Sequence, residues 1–252
     1  MALKQALAVV AILSALAAPA RAAEVAVVST LNIRPALDAM QAGFEARGQD
    51  RLAFTSQGAA ATEALAASGA PADVVVGSRQ MLERLAARGL VRPGSIVDIA
   101  RSSIAVVVPA GARRPDVATD EALKRALLAA PRVAYPDPAK GSLGGNYLAD
   151  LFRGWGLTEP LKPRLALTDG GRAAGDAAAE GKADLALNQT AELKVVPGLT
   201  FLEPLPPALT NKIVMSAAIL ARVRNADGAA RWVRYMRSAD AAAAIRANWM
   251  EP

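Results

Sequence analysis

The sequence has no cysteine and no histidine, and these two absences remove much of enzymatic and metal chemistry. Without cysteine there is no disulfide, no thiolate nucleophile and no acylated cysteine of a bacterial lipoprotein. Without histidine there is no Ser-His-Asp triad, no imidazole base and no Cys/His zinc site. A metal held by carboxylates alone needs clustered acids, and the short spacings of such sites are missing, so neither metal nor cofactor is expected. Asp137 lies between Pro136 and Pro138, a pattern of turns rather than of ligands. Catalysis by carboxylates, Lys or Tyr stays open, but the composition leans towards binding.

Aromatic residues are also scarce, at 4% against 53% hydrophobic residues overall, so the core must be built from Ala, Val and Leu. The formal net charge is +6; Lys4 and Arg21 supply two of these charges, leaving +4 for the chain beyond residue 22. The basic residues are scattered, with Arg113-Arg114 the densest pair. A nucleic-acid binder shows a basic stripe with aromatics between the charges, so no nucleic acid is expected as a partner. A weakly basic surface does suit the attraction of small anions.

What is present begins with a leader. Lys4 gives a positive start, Gln5 to Ala18 is an almost unbroken apolar run, and Ala20-Arg21-Ala22 offers small residues where a signal peptidase reads. Residues 1–22 are therefore expected to be a signal peptide cleaved after Ala22. The run is shorter than the roughly 20 residues that span a bilayer, and no later segment reaches that length. The expectation is an exported protein without membrane insertion, retained in the periplasm. The remaining residues, about 230 of the 252, suffice for one large domain or two compact ones.

From Glu24 onward strand-like and helix-like segments alternate. Glu24–Val28, Arg51–Thr55 and Val74–Val76 read as short buried strands, and Ile33–Arg47, Ala59–Ala67 and Gln80–Ala87 as helices. Ile33, Leu37, Met40 and Phe44 carry the three-to-four spacing of an amphipathic helix. Ile104–Pro109 is a strongly apolar strand after which the alternation restarts. Helices are expected over Glu121–Ala129, Gly145–Trp155 and Arg172–Glu180, with strands over Arg132–Tyr135, Arg164–Thr168 and Ala183–Leu187. Ile213–Leu220 reads as a long apolar strand, followed by helices over Gly228–Arg237 and Ala239–Trp249. This order predicts an α/β protein with mixed, mostly parallel sheets and helices on both faces. Its two units join through Ile104–Val108 and again near Ile213, so residues 23–103 with 211–252 form one lobe and 104–210 the other.

In open α/β sheets ligands sit beyond the carboxyl ends of the strands, where helix N-termini point spare N–H groups. Short polar residues recur at those places. Ser29-Thr30 follow the first strand, Ser56-Gln57-Gly58 the second and Gly77-Ser78-Arg79 the third. The second unit offers Ser142-Leu143-Gly144 within a Gly-rich stretch, Asp169-Gly170-Gly171, and Asn188-Gln189-Thr190. Each Ser or Thr alone reads better as a helix N-cap; their recurrence on both units is what suggests a cradle for an anion. Gly141–Gly145 lacks the Gly-Lys-Ser/Thr ending of a nucleotide P-loop.

Ala26-Val27-Val28-Ser29-Thr30-Leu31, Phe54-Thr55-Ser56-Gln57-Gly58 and Gly69-Ala70-Pro71-Ala72-Asp73-Val74-Val75-Val76 resemble the first lobe of periplasmic molybdate-binding proteins. Ser102 to Pro109 is similar to that family's crossing strand, and Val133 to Tyr147 to its second-lobe anion loop. The resemblance covers nearly all of the chain beyond the leader. It implies the two-lobed type II periplasmic binding fold, closing as a monomer around a small anionic ligand for delivery to an ABC importer permease. It also implies that Ser29 donates to the anion, with Ser56 or Gly58 as the second donor and Leu143 or Gly144 near the backbone donor of the second lobe. The chain departs from the family at Asn188, where a tyrosine is frequent, at Gln57, which replaces a serine-rich stretch, and at Arg79, where an acid is common. These changes suit a larger carboxylate ligand, and the expected ligand is either a molybdate-like oxyanion or a small organic acid. Two further readings share fold and site: an enzyme acting on a small anion, for which no base is evident in the cleft, and a ligand-sensing partner of a membrane receptor.

Overall fold

The computed structural model describes residues 23–48 and 50–252; the expected signal peptide lies outside the described residues. In chain order the strands are β1 (Ala23–Thr30), β2 (Asp50–Gln57), β3 (Val74–Ser78), β4 (Val97–Ser102), β5 (Ile104–Pro109), β6 (Val133–Pro136), β7 (Leu165–Thr168), β8 (Leu185–Gln189), β9 (Leu199–Phe201) and β10 (Ile213–Ile219). They form two five-stranded sheets, ordered β2-β1-β3-β10-β4 and β7-β6-β8-β5-β9. Within the first sheet β1 runs parallel to β2 and β3, while β10 is antiparallel to β3 and β4. The second repeats this plan: β6 is parallel to β7 and β8, and β5 is antiparallel to β8 and β9. Two mixed sheets with helices on both faces are the α/β architecture that the alternation implied.

The apolar runs work because their two faces enter different cores. Val25, Val27, Val74, Val76 and Ala217 pack into one buried cluster with Ile33, Leu37 and Met40 of the Leu31–Glu45 region. Val28, Val75 and Ala218, one residue out of phase, pack against Met81, Leu82 and Leu85 of the helix Arg79–Ala87. Strand β5 repeats the division, with Ile104, Val106 and Val108 on one side and Ala105 and Val107 on the other. A strand buried on both faces reads as a continuous apolar run because successive side chains point in opposite directions. Each fully buried Val or Leu contributes about 1.5–3 kcal/mol. The few aromatics gather where helices cover the first sheet: Trp232 meets Phe44 edge-on at 5.1 Å and Phe54 at 6.2 Å, and stacks on Tyr235 at 5.8 Å.

The Gly69–Asp73 segment has a structural purpose. Asp73 is fully buried, and its carboxylate accepts backbone N–H bonds from Ala26 at 2.9 Å, Arg224 at 2.7 Å and Asn225 at 2.9 Å. It ties β1 to the segment that leads into the helix Ala226–Tyr235.

The chain leaves the first sheet at Ser103, between β4 and β5, and returns between β9 and β10. These passages touch. Asn211 N donates to Ser103 Oγ at 2.9 Å, the Asn211 and Ser103 side chains meet at 3.0 Å, and Ile104 N donates to Leu209 O at 2.8 Å. Asn211 takes a left-handed backbone, φ +50°, which Asn tolerates better than most residues. The expected crossing strands thus belong to one sheet each, β5 to the second and β10 to the first, and the connections are the short segments beside them.

Candidate functional site

The carboxyl ends of β1 and β8 face one another across a cleft of about 520 Å³. On one side Thr30, Asn32 and Gly58 line it; on the other, Ser142, Leu143, Gly171 and Gln189. Two features of the local sequence open this space. The turn Leu31–Ile33 carries the chain sideways after β1. Gly141 (φ +75°) and Gly170 (φ +93°) hold positive-φ conformations just before the helices Leu143–Gly154 and Gly171–Ala179, and the first residues of both helices line the cleft.

Of the residues expected to bind ligand, Thr30, Gly58, Ser142, Leu143 and Gln189 line the cleft. Ser29 and Ser56 lie just behind this lining, with their hydroxyls hydrogen-bonded to each other at 2.7 Å; Arg34 Nη1 also donates to Ser56 Oγ at 3.2 Å. The carbonyl of Gln57 accepts from Thr62 Oγ1 at 3.2 Å. Gly144 packs directly against the Asn188 amide, where a Cβ would collide with Oδ1. Ser142 also serves as N-cap, its Oγ accepting from Gly145 N at 3.3 Å.

Ser78 and Arg79 are placed elsewhere. Ser78 is buried and caps its helix, accepting from Met81 N at 3.3 Å. Arg79 pairs with Glu83 at 2.8 Å and Asp98 at 2.9 Å and is not among the residues lining the cleft. Strand β3 ends beside β1, with Gly77 against Thr30, but the guanidinium expected at the ligand instead holds β4 to the helix Arg79–Ala87. The cations that do line the cleft are Lys140, 3.3 Å from Asp169, and Arg172, 3.8 Å from Asp176.

Five lining residues that matter here lay outside the expected ligand-binding set. Asn32 Nδ2 donates to Gln189 Oε1 at 3.0 Å and so bridges the two sides. Leu31 and Val195 are 60% and 54% exposed, and Trp249 is 47% exposed with φ +56°. A bulky residue in that backbone region is strained, and the strain turns the indole into the cleft wall. The fifth is Glu192, in the short helix Thr190–Leu193 that follows β8. Its Oε2 accepts from Asn188 Nδ2 at 2.5 Å. Burial pushes the Glu192 carboxyl above the usual carboxylate range, only partly offset by hydrogen bonds from Asn188 and the Gly171 backbone. Gly171 is glycine by necessity, since a Cβ there would overlap both Asn188 Nδ2 and Glu192 Oε2. The sequence signal for Glu192 was its place four residues after Asn188, in the first turn beyond a strand end.

Among the described residues no group of three or more His, Cys, Asp or Glu could hold a metal ion, and no helix is long and apolar enough to cross a membrane. The arrangement as a whole combines amide, hydroxyl and backbone donors, two cations, the two carboxyls of Asp169 and Glu192, and an apolar rim. It can hold an anion that also has a carbon skeleton.

Comparison with known proteins agrees with the architecture. The profile of the family described as bacterial extracellular solute-binding protein matches residues 25–251. The periplasmic molybdate-binding protein of Azotobacter vinelandii superposes with a TM-score of 0.70 at 21% identity, covering 90% of this chain and 99% of that one. The sulfate-binding protein SubI of Mycobacterium tuberculosis superposes with a TM-score of 0.70 at 20% identity, covering 91% and 87%. At these identities the likeness is one of fold. A curated protein from Pseudomonas sp., described as aconitate isomerase, is 33% identical over 183 residues, 72% of this chain and 68% of that protein.

Proposed function

The chain belongs to the family of bacterial extracellular solute-binding proteins, and from that premise we propose that it binds a small organic polycarboxylate between its two lobes. The observation that carries this reading is the mixed lining of the cleft. Leu31, Val195 and Trp249 supply apolar surface that a bare tetrahedral oxyanion cannot use, while Lys140, Arg172 and the helix N-termini suit carboxylates. A volume of about 520 Å³ falls in the range of small-molecule sites, about 300–1,000 Å³, and an oxyanion would fill little of it. Ser29 and Ser56, the donors expected for an oxyanion, bond to one another.

In this proposal the lobes are residues 23–103 with 211–252, and 104–210, a division supported by the membership of the two sheets. The protein is exported by its leader to the periplasm, acts as a monomer and delivers its ligand to an ABC importer permease. Titration calorimetry with citrate, cis-aconitate, trans-aconitate, molybdate and sulfate tests the ligand class. Binding of one or more of the polycarboxylates, tighter than either oxyanion, is expected; tighter binding of molybdate or sulfate overturns the reading.

A second reading is favoured by one specific observation. Glu192 is a carboxyl of raised pKa at the cleft, suited to moving a proton to or from a ligand carbon, and a relative is described as aconitate isomerase. In this reading the same cleft isomerises its polycarboxylate. Proton NMR of cis-aconitate incubated with the protein separates the two: appearance of the trans isomer supports catalysis, and an unchanged spectrum with demonstrated binding supports transport alone.

A further inference from the structure

The polar wall of the second lobe is organised around one side chain. Glu192 Oε2 sits against Asn188 Nδ2 at 2.5 Å, and the glycine at 171 leaves room for both. Asn188 is fully buried, and its Oδ1 has no hydrogen-bond partner among the described residues; it faces Gly144 at the start of the helix Leu143–Gly154. A buried amide with one end unpaired carries a desolvation penalty, and it sits beside the Glu192 carboxyl.

No cation compensates that carboxyl. On the helix Gly171–Ala179 the charged groups are Arg172 and Asp176, which pair with each other. On its own segment Lys194 lies over the Phe201 ring at 4.0 Å. On the same side of the cleft Lys140 pairs with Asp169, and the described residues that line the facing side, Thr30 to Asn32, Pro35, Gly58, Ala59, Asn248 and Trp249, carry no charge. Strands β5 and β8, packed behind it, carry no charged residue. An anionic ligand entering this cleft would meet a second, uncompensated negative charge if Glu192 were ionised, a repulsive arrangement in a partly buried site.

We propose that Glu192 receives the ligand as the neutral acid, donating its O–H to a ligand carboxylate, so that one proton is taken up with each polycarboxylate bound. The inference rests on the polycarboxylate reading above and assigns to Glu192 the choice of protonation state at the site. The wall then has a donor where ionised Glu192 would have an acceptor, and the Asn188 amide turns to accept or donate according to which Glu192 oxygen carries the proton. Affinity is highest in acid and falls as pH rises through the Glu192 pKa, by up to about tenfold per pH unit for a single coupled proton.

Calorimetry of citrate and trans-aconitate with the full exported chain, in buffers of different ionisation enthalpy at pH 6, 7 and 8, measures the protons taken up. Comparison with Glu192→Gln, a donor that cannot titrate, cancels the titration of the probes themselves. The wild type is expected to take up as much as one proton more than Glu192→Gln, and its affinity ratio to that variant should fall steadily from pH 6 to pH 8. Glu192→Ala, which has no donor, should lose tenfold or more in affinity at pH 6, with circular dichroism melts confirming that it is folded. Equal proton uptake and parallel pH profiles in wild type and Glu192→Gln overturn this inference alone. No binding of any polycarboxylate to either protein overturns the ligand class and the inference with it.

Discussion

Asn32 and Gln189, separated by 157 residues in sequence, share a side-chain hydrogen bond of 3.0 Å from Asn32 Nδ2 to Gln189 Oε1. Asn32 lies in the turn after β1 and Gln189 ends β8, so this bond ties the two sheets together at the cleft. Gln189 is 3% exposed, and water cannot easily replace a lost partner there. Asn32→Ala should destabilise the protein by about 1–3 kcal/mol. At about 2–4 °C per kcal/mol for a chain of this size, a melting temperature lower by about 2–12 °C is expected. A double-mutant cycle with Gln189→Ala should return a coupling energy of about 1 kcal/mol.

Trp249 offers a direct readout of occupancy. It lines the cleft and is half-exposed, whereas Trp232 is fully buried in the first lobe. Ligand binding should therefore change the intrinsic fluorescence, and Trp249→Ala should abolish the change. The lost apolar contact should weaken binding by about 1–2 kcal/mol, or roughly 5- to 30-fold.

Arg79 carries the opposite expectation. Its guanidinium is engaged by Glu83 and Asp98 and is 42% exposed. Arg79→Ala should leave ligand affinity within about twofold and change stability little, as for other exposed ion pairs. Calorimetry and urea denaturation on one preparation check both parts.

The acid limb of stability should trace to Asp50. Its side chain is almost fully buried, and Arg231 meets it through two bonds, Nε to Oδ2 at 2.7 Å and Nη2 to Oδ1 at 3.0 Å. The Arg231 hydrogen bond, with help from Asn225, holds the Asp50 carboxyl below the usual carboxylate range. A folded-state pKa below the unfolded value of about 3.9 gives stability that is present above that value and lost as pH falls through the folded one. Asp50→Asn should flatten the loss below about pH 4. Glu192 acts in the reverse sense: its raised pKa means that stability present in acid is lost as pH rises through it. Glu192→Gln should raise the melting temperature at pH 8, with the gain vanishing below about pH 4.

The fold was legible where burial leaves a simple pattern. Val74–Val76 and Ile104–Pro109 are apolar on every residue because both faces are covered, and the helix Ala59–Ala67 lies where its composition put it. Strand β4 was not legible. Asp98 and Arg101 interrupt it, since it is an edge strand whose outer face pairs with Arg79. Strand β9, three half-buried residues at the other edge, was missed for the same reason.

The site was legible at Thr30, Gly58, Ser142, Leu143 and Gln189, because short polar residues after strands have few other places to go. Ser78 and Arg79 follow a strand in the same way, yet Ser78 caps its own helix and Arg79 is taken up by Glu83 and by Asp98 on β4, the edge strand beyond β10. Sheet order is a long-range property that strand chemistry does not encode. Trp249 was hidden by its place at the end of a helix pattern, and Glu192 by reading the strand end no further than Thr190. Asp73, the most distinctive motif residue, proves to be a buried acceptor for three backbone N–H groups. Asp73→Ala should cost at least about 3 kcal/mol in urea denaturation, at about 1 kcal/mol or more per orphaned donor.

Native mass spectrometry of the protein exported and purified without added ligand tests the central claim most directly, because it weighs whatever the cleft has selected. The account predicts a one-to-one complex with a small organic acid, displaced by citrate or aconitate. A bound mass of molybdate or sulfate, or saturation by those oxyanions with no polycarboxylate able to compete, would contradict it.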